Sequence, residues 1–135
     1  MRIGINKTLK LTPQRLAVMD YLEGNKEHPS AEDIYRAIKA KYPTISLATI
    51  YNTLEALKNH GIVQELQIDP RKKRYDPDTT SHNHLMCIEC GKVEDIYEER
   101  ALENVETIKG YKILKTSVSY YGICPECLEN NRSKT

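Results

Sequence analysis

Four cysteines stand in two pairs of identical spacing, Cys87-Ile-Glu-Cys90 and Cys124-Pro-Glu-Cys127, with none left over. Two residues between paired thiolates let one short turn deliver both sulfurs to one ion. Two such turns supply the four soft ligands of a closed tetrahedral Zn(II) site. Gly91, directly after Cys90, adds the permissive backbone that such a turn needs. Two other chemistries use the same residues. Local disulfides require an oxidising compartment, which finds no support because the sequence opens without a signal-peptide pattern. Thioredoxin-like exchange uses one reactive pair beside a βαβ pattern, and two matched pairs argue against it.

A second group is built of nitrogen and oxygen. Two of the four histidines form His82-Asn83-His84, and in an extended segment residues two apart point to the same side. If Cys87 and Cys90 flank a hairpin turn, His84 lies nearly opposite Asp95, which adds a carboxylate. His28 and Asp76 are further candidates, but spacing alone recruits neither, and His28 by itself reads more readily as a helix-start histidine packed on Pro29. His60 has no partner motif. A hydrolase would use His82, His84 and Asp95 to activate a water, but no general base stands beside them in sequence. A plain binding module would leave the histidines on a solvated loop.

These groups need a scaffold, and 135 residues make one domain or two very small ones, which a structural metal helps to stabilise. The composition, 39% hydrophobic and 29% charged, is that of a soluble protein, expected to be cytoplasmic and without a membrane partner, since no apolar run is long enough to span a bilayer. Its net charge of +1 is unevenly distributed. Residues 1–76 carry 13 Lys and Arg against 9 Asp and Glu, a net of +4, and residues 77–135 carry 7 against 10, a net of −3. The basic half is the one expected to face nucleic acid.

In that half Thr12 caps a helix with Pro13 at its first position, running to about Leu22 before Gly24-Asn25. Ser30 and Asp33 form a capping box for a second helix ending near Tyr42-Pro43, and Ser46 caps a third that stops at His60-Gly61. The pattern then alternates over residues 62–68, turns through Asp69-Pro70-Arg71-Lys72-Lys73, and returns as Arg74-Tyr75-Asp76. Three helices and a basic hairpin describe a winged helix-turn-helix, whose third helix enters the major groove while the wing lies along phosphates. Ser46, Thr49, Tyr51, Asn52 and Thr53 are the expected groove-facing residues, and Arg15, Arg71, Lys72 and Lys73 the phosphate contacts. As single positions these polar residues read as well as a solvated helix face.

The fold class read from this pattern is α+β: a winged-helix DNA-binding domain over residues 1–76, a linker over 77–83, and a small α/β dimerisation and metal-binding domain over 84–135. In the last, two strands wrap the first cysteine turn, a helix spans 98–109 up to Gly110, and a third strand spans 111–121 into the second cysteine turn. Residues 130–135 are expected to be disordered.

Thr12-Pro13-Gln14-Arg15, His28-Pro29-Ser30-Ala31-Glu32-Asp33-Ile34-Tyr35, Ala48-Thr49-Ile50-Tyr51-Asn52-Thr53-Leu54, Arg74-Tyr75-Asp76, His82-Asn83-His84 and Cys87-x-x-Cys90-Gly91-Lys92 resemble the ferric uptake regulator family along essentially the whole chain. The resemblance is strongest to its peroxide-responsive branch. It implies a regulatory Fe(II) or Mn(II) held by His28, Asp76, His82, His84 and Asp95, a harder donor set than four thiolates. It also implies a homodimer on an inverted-repeat duplex operator, and oxidation of His28 or His82 by peroxide at bound iron, a sacrificial step and not enzymatic turnover. A repressor answering to iron or manganese alone is the near alternative. The iron-sensing branch usually carries a longer histidine-rich stretch and Glu where this chain has Asp76.

Overall fold

A computed structural model describes residues 9–80, 82–97 and 106–133. The chain divides into two compact units, Met1–Thr79 and Thr80–Thr135.

Three capped helices build the first unit. Helix α1 is Pro13–Leu22, and the Thr12 hydroxyl accepts from the Arg15 N–H at 3.1 Å. Helix α2 is Ala31–Lys39, with both halves of its capping box formed: Asp33 N–H donates to Ser30 Oγ at 3.2 Å and Ser30 N–H to Asp33 Oδ2 at 3.0 Å. Helix α3 is Leu47–Asn59, capped by Ser46, whose Oγ accepts from the Thr49 N–H at 3.1 Å. Each cap satisfies an amide that the first helical turn leaves without a partner. Val18, Leu22, Ile34, Ile38, Ile50, Leu54 and Leu57 interlock at the centre, closed by Val63 and Tyr75. Helix α2 stops at Lys39, before the expected Tyr42-Pro43, where the N–H groups of Lys41 and Tyr42 both close on the Ile38 carbonyl in a tightened last turn.

The wing is a short antiparallel pair, β1 (Gln64–Leu66) and β2 (Arg74–Asp76), with Glu65 opposite Tyr75. The alternating stretch expected over residues 62–68 pairs only where the three residues of β2 supply partners. Backbone bonding also ties β2 inward, the Tyr75 N–H donating to the Pro29 carbonyl at 2.9 Å.

The second unit is a three-stranded sheet in the order β4-β3-β7. Strand β3 (Asn83–Cys87) runs antiparallel to β4 (Val93–Ile96), with the first cysteine turn between them and His84 opposite Asp95 as expected. It runs parallel to β7 (Ser119–Gly122).

Residues 107–112 differ from expectation. Of the helix expected over 98–109, residues 98–105 lie outside the described ones, and Thr107–Ile108 form a strand, β5, paired with β6 (Tyr111–Lys112). Lys109 and Gly110 have φ of 51° and 82°, the paired positive values of a hairpin turn, so Gly110 belongs to a β-turn and not to a helix stop. The single strand expected over 111–121 is β6, an irregular segment and β7. The chain end also differs: Pro125–Ser133 is a helix, α4, covering most of the tail expected to be disordered. Pro125 preorganises its first turn, Cys124 Sγ accepts the orphan Cys127 N–H at 3.4 Å, and the Leu128 N–H makes the first helical bond to the Cys124 carbonyl at 2.9 Å.

Candidate metal centres and nucleic-acid interface

The tetrahedral geometry of zinc sets a length that the cysteines meet. An ion about 2.3 Å from each sulfur separates the sulfurs by about 3.8 Å. Cys87 Sγ lies 3.8 Å from Cys127 Sγ and Cys90 Sγ 3.8 Å from Cys124 Sγ, and all four sulfurs fall within 4.8 Å of one another. Backbone N–H groups of Cys90 and Cys124 pull the Cys87 thiol down to about 6, while hydrogen bonding with Cys124 pushes Cys127 up to about 12. Four sulfurs at this spacing ionise together only around a cation, so the residues fit a structural zinc.

A second convergence lies in the same unit. His82 Nε2 is 2.9 Å and His84 Nε2 3.3 Å from one oxygen of Asp95, with the two ring centroids 4.5 Å apart. Strand alternation brings the two histidines to one side, and the β3–β4 register puts Asp95 across from His84. His82 Nδ1 meets the Thr80 carbonyl at 2.7 Å, an acceptor, so this nitrogen carries the proton. A neutral His82 then directs a lone pair at a carboxylate oxygen, which is repulsive unless a proton or a metal cation lies between them. Tyr97 stacks on His82, centroids 4.8 Å apart, and its hydroxyl donates to the other Asp95 oxygen at 3.5 Å. Sequence spacing points to neither Thr80 nor Tyr97, although Tyr97 stands two residues from Asp95, just past the end of β4.

In the first unit His28 Nε2 lies 3.3 Å from Asp76 Oδ2, and both side chains are buried. Their separation in sequence is why spacing could not pair them. His28 has φ of 54°, a left-handed conformation that costs a residue with a Cβ on the order of 1–2 kcal/mol. The surroundings hold it there: Asp76 takes the ring, Arg74 Nε donates to its carbonyl at 2.9 Å, and Tyr75 N–H binds the next carbonyl.

The model of the ferric uptake regulator family matches residues 6–121. The chain belongs to that family. Relatives of this member include the peroxide operon regulator of Bacillus subtilis, 37% identical over 123 residues (88% of this chain, 84% of the relative), and the peroxide-responsive repressor PerR of Staphylococcus epidermidis, 39% identical over 125 residues (90% and 83%). Among solved structures, the Campylobacter jejuni peroxide stress regulator superposes with a TM-score of 0.70 at 36% identity, covering 85% of this chain and 89% of the other. The ferric uptake regulator family is one of transcriptional regulators, and the architecture here is its winged-helix DNA-binding domain followed by a dimerisation domain.

In this family member Ser46, Tyr51 and Asn52 are exposed on α3 and Thr49 is half-buried. Thr53 is not on that face. It is 1% exposed, because steps of three and four residues from Ile50 and Leu57 carry it onto the apolar stripe. Ala48 is exposed instead. The Tyr51 hydroxyl donates to Glu32 at 3.0 Å, which ties α3 to α2 and raises the affinity of the phenol for its proton. Arg71, Lys72 and Lys73 are exposed on the wing, Lys73 3.5 Å from Glu65, whereas Arg15 is half-buried and donates to the Lys10 carbonyl at 3.0 Å.

Proposed function

We propose that this protein is a metal-dependent repressor that binds DNA as a homodimer, and that its regulatory Fe(II) or Mn(II) is held by His28, Asp76, His82, His84 and Asp95. The observation that carries this reading is the convergence of His82 and His84 on a single Asp95 oxygen, matched in the other unit by His28 on Asp76. Each half is an imidazole–carboxylate arrangement suited to a hard divalent cation. Only six residues of sequence separate Asp76 from His82, a reach of at most about 20 Å, so one ion can recruit both halves. Binding then selects the arrangement of the units in which the ligands meet. A ligand at a hundred times its dissociation constant favours that state by about 2.7 kcal/mol, and a swing from 1:99 to 99:1 needs about 5.5 kcal/mol of differential affinity. Splitting the ligands between units supplies that difference, because neither half alone binds well.

Iron held by these residues would supply catalysis of peroxide O–O cleavage without net change in its own oxidation state. The ring of His28 or His82 would be the two-electron reductant, gaining one peroxide oxygen at a ring carbon while the other oxygen leaves as water, and the oxidised ring would no longer ligate. Zinc at the four cysteines is scaffold, fixing the hairpin that carries His84 and Asp95. On DNA, Ser46, Thr49, Tyr51 and Asn52 face the groove of an inverted-repeat operator, and Arg15, Arg71, Lys72 and Lys73 meet phosphates. A second copy of the chain covers apolar side chains such as Ile88, Tyr111 and Leu114, which are more than half exposed in one chain. The protein works in the cytoplasm.

Gel shifts on an operator selected from random duplexes test the switch: Mn(II) should strengthen binding at least tenfold, and binding of equal strength without metal would refute it. Fe(II)-loaded protein treated with peroxide should leave the operator and gain one oxygen on the peptide containing His28 or His82. Unmodified peptides on protein that stays bound would make the signal the metal itself.

A further inference from the structure

The wing and His28 are connected by a chain of buried polar contacts that neither metal ligation nor phosphate binding requires. Arg74 is 6% exposed, and its guanidinium serves two partners at once. Nε donates to the His28 carbonyl at 2.9 Å across 46 residues of sequence, and Nη1 lies 3.7 Å from Asp69 Oδ2. Asp69 in turn shapes the wing tip. Its Oδ1 accepts from the Arg71 N–H at 2.9 Å and from Arg71 Nε at 3.3 Å, closing a side-chain turn, while its carbonyl accepts from the Lys72 N–H at 3.3 Å. These bonds outweigh the cost of burying the Asp69 carboxyl and keep it ionised.

We infer that Arg74 is a positioning residue which, with Asp69, couples occupancy of the regulatory metal at His28 to the geometry of the wing tip. This rests on the reading of His28 as a ligand. Metal on the ring restrains His28, whose left-handed backbone is the point Arg74 grips. A restrained carbonyl holds the guanidinium, the guanidinium holds Asp69, and Asp69 orders the turn that presents Arg71 and Lys72. By linkage, phosphates that capture the ordered turn strengthen metal binding by the same factor. The path lies wholly within the first unit and acts beside any rearrangement of the two units. A lysine cannot replace Arg74, because one ammonium does not offer a fork to a carbonyl and a carboxylate simultaneously.

The test uses the full-length, zinc-loaded dimer with Mn(II) as the metal and an operator selected by the wild type. Arg74→Lys is compared with wild type in two measurements: hydrogen exchange of the amides of residues 71–73 with and without Mn(II), and operator affinity with and without Mn(II). In the wild type Mn(II) should slow wing-tip exchange. In Arg74→Lys that slowing should shrink at least fivefold, and the ratio of metal-loaded to metal-free operator affinity should fall about 5- to 10-fold. Asp69→Asn, which keeps an acceptor for the Arg71 amide but removes the charge, should do the same and decides the matter if Arg74→Lys fails to fold. A merely structural role weakens binding equally with and without Mn(II) and leaves the ratio intact; that result overturns the inference. So does wild-type exchange at residues 71–73 that ignores Mn(II) while operator binding responds to it. Operator binding by the wild type that is itself indifferent to Mn(II) refutes the repressor reading, and is recognised in the wild type alone.

Discussion

The two units reach stability by different routes. The first buries eleven apolar residues in one cluster, from Val18 to Tyr75, and caps all three of its helices. Among the described residues of the second, the buried apolar side chains are Met86, Cys87 and Val93, while its sheet also buries His82, Asn83 and His84. So small a core among the described residues leaves more for the four-cysteine metal site to stabilise than in the first unit, where packing does this. The proposed regulation follows the same contrast: the first unit carries the residues proposed to face DNA, and the second carries three of the five proposed metal ligands, His82, His84 and Asp95.

The contrast would break first at the cysteines. Cys124→Ser removes a thiolate and the cap of α4 together, so zinc by elemental analysis should fall to near zero, with the second unit unfolded and the dimer lost. The helical circular dichroism of the first unit should survive. If the whole chain unfolds instead, the units are not independent in stability. In the first unit Leu54→Ala, at a site 1% exposed, should cost about 2–5 kcal/mol in urea unfolding and leave zinc content unchanged.

A smaller effect sharpens the contrast at high pH. Burial pushes the Tyr75 phenol from 10.0 up to about 12. Below pH 10 both folded and unfolded chains keep this proton; between pH 10 and about 12 the unfolded chain releases it and the folded one does not. Stability therefore falls as pH rises through that window, on the order of 2 kcal/mol. Thermal unfolding of Tyr75→Phe should show a shallower alkaline decline than wild type; parallel curves would mean that the phenol is not the cause. Least of all, Ser30→Ala opens one half of the α2 capping box and should lower stability by about 1 kcal/mol, again without loss of zinc.

The helix starts were readable because capping is local: Thr12, Ser30 and Ser46 each bond an amide three residues on. The His84–Asp95 pairing was readable for a related reason, since a cysteine turn of known size sets the register of the hairpin around it. Thr53 misled because a polar side chain on an apolar stripe looks outward when only its chemistry is read. Residues 107–112 misled because two β-branched or apolar positions before a glycine fit a helix end as well as a hairpin, and the φ values of Lys109 and Gly110 decide between them.

By itself, the sequence determined the four-thiolate site, the three capped helices and the basic hairpin, all products of interactions a few residues long. Tertiary structure alone decided that His28 meets Asp76, that Arg74 spans 46 residues to the His28 carbonyl, and that Tyr97 stacks on His82. Such contacts join residues that no backbone periodicity relates, and they exist only after the core has packed and brought their elements into range.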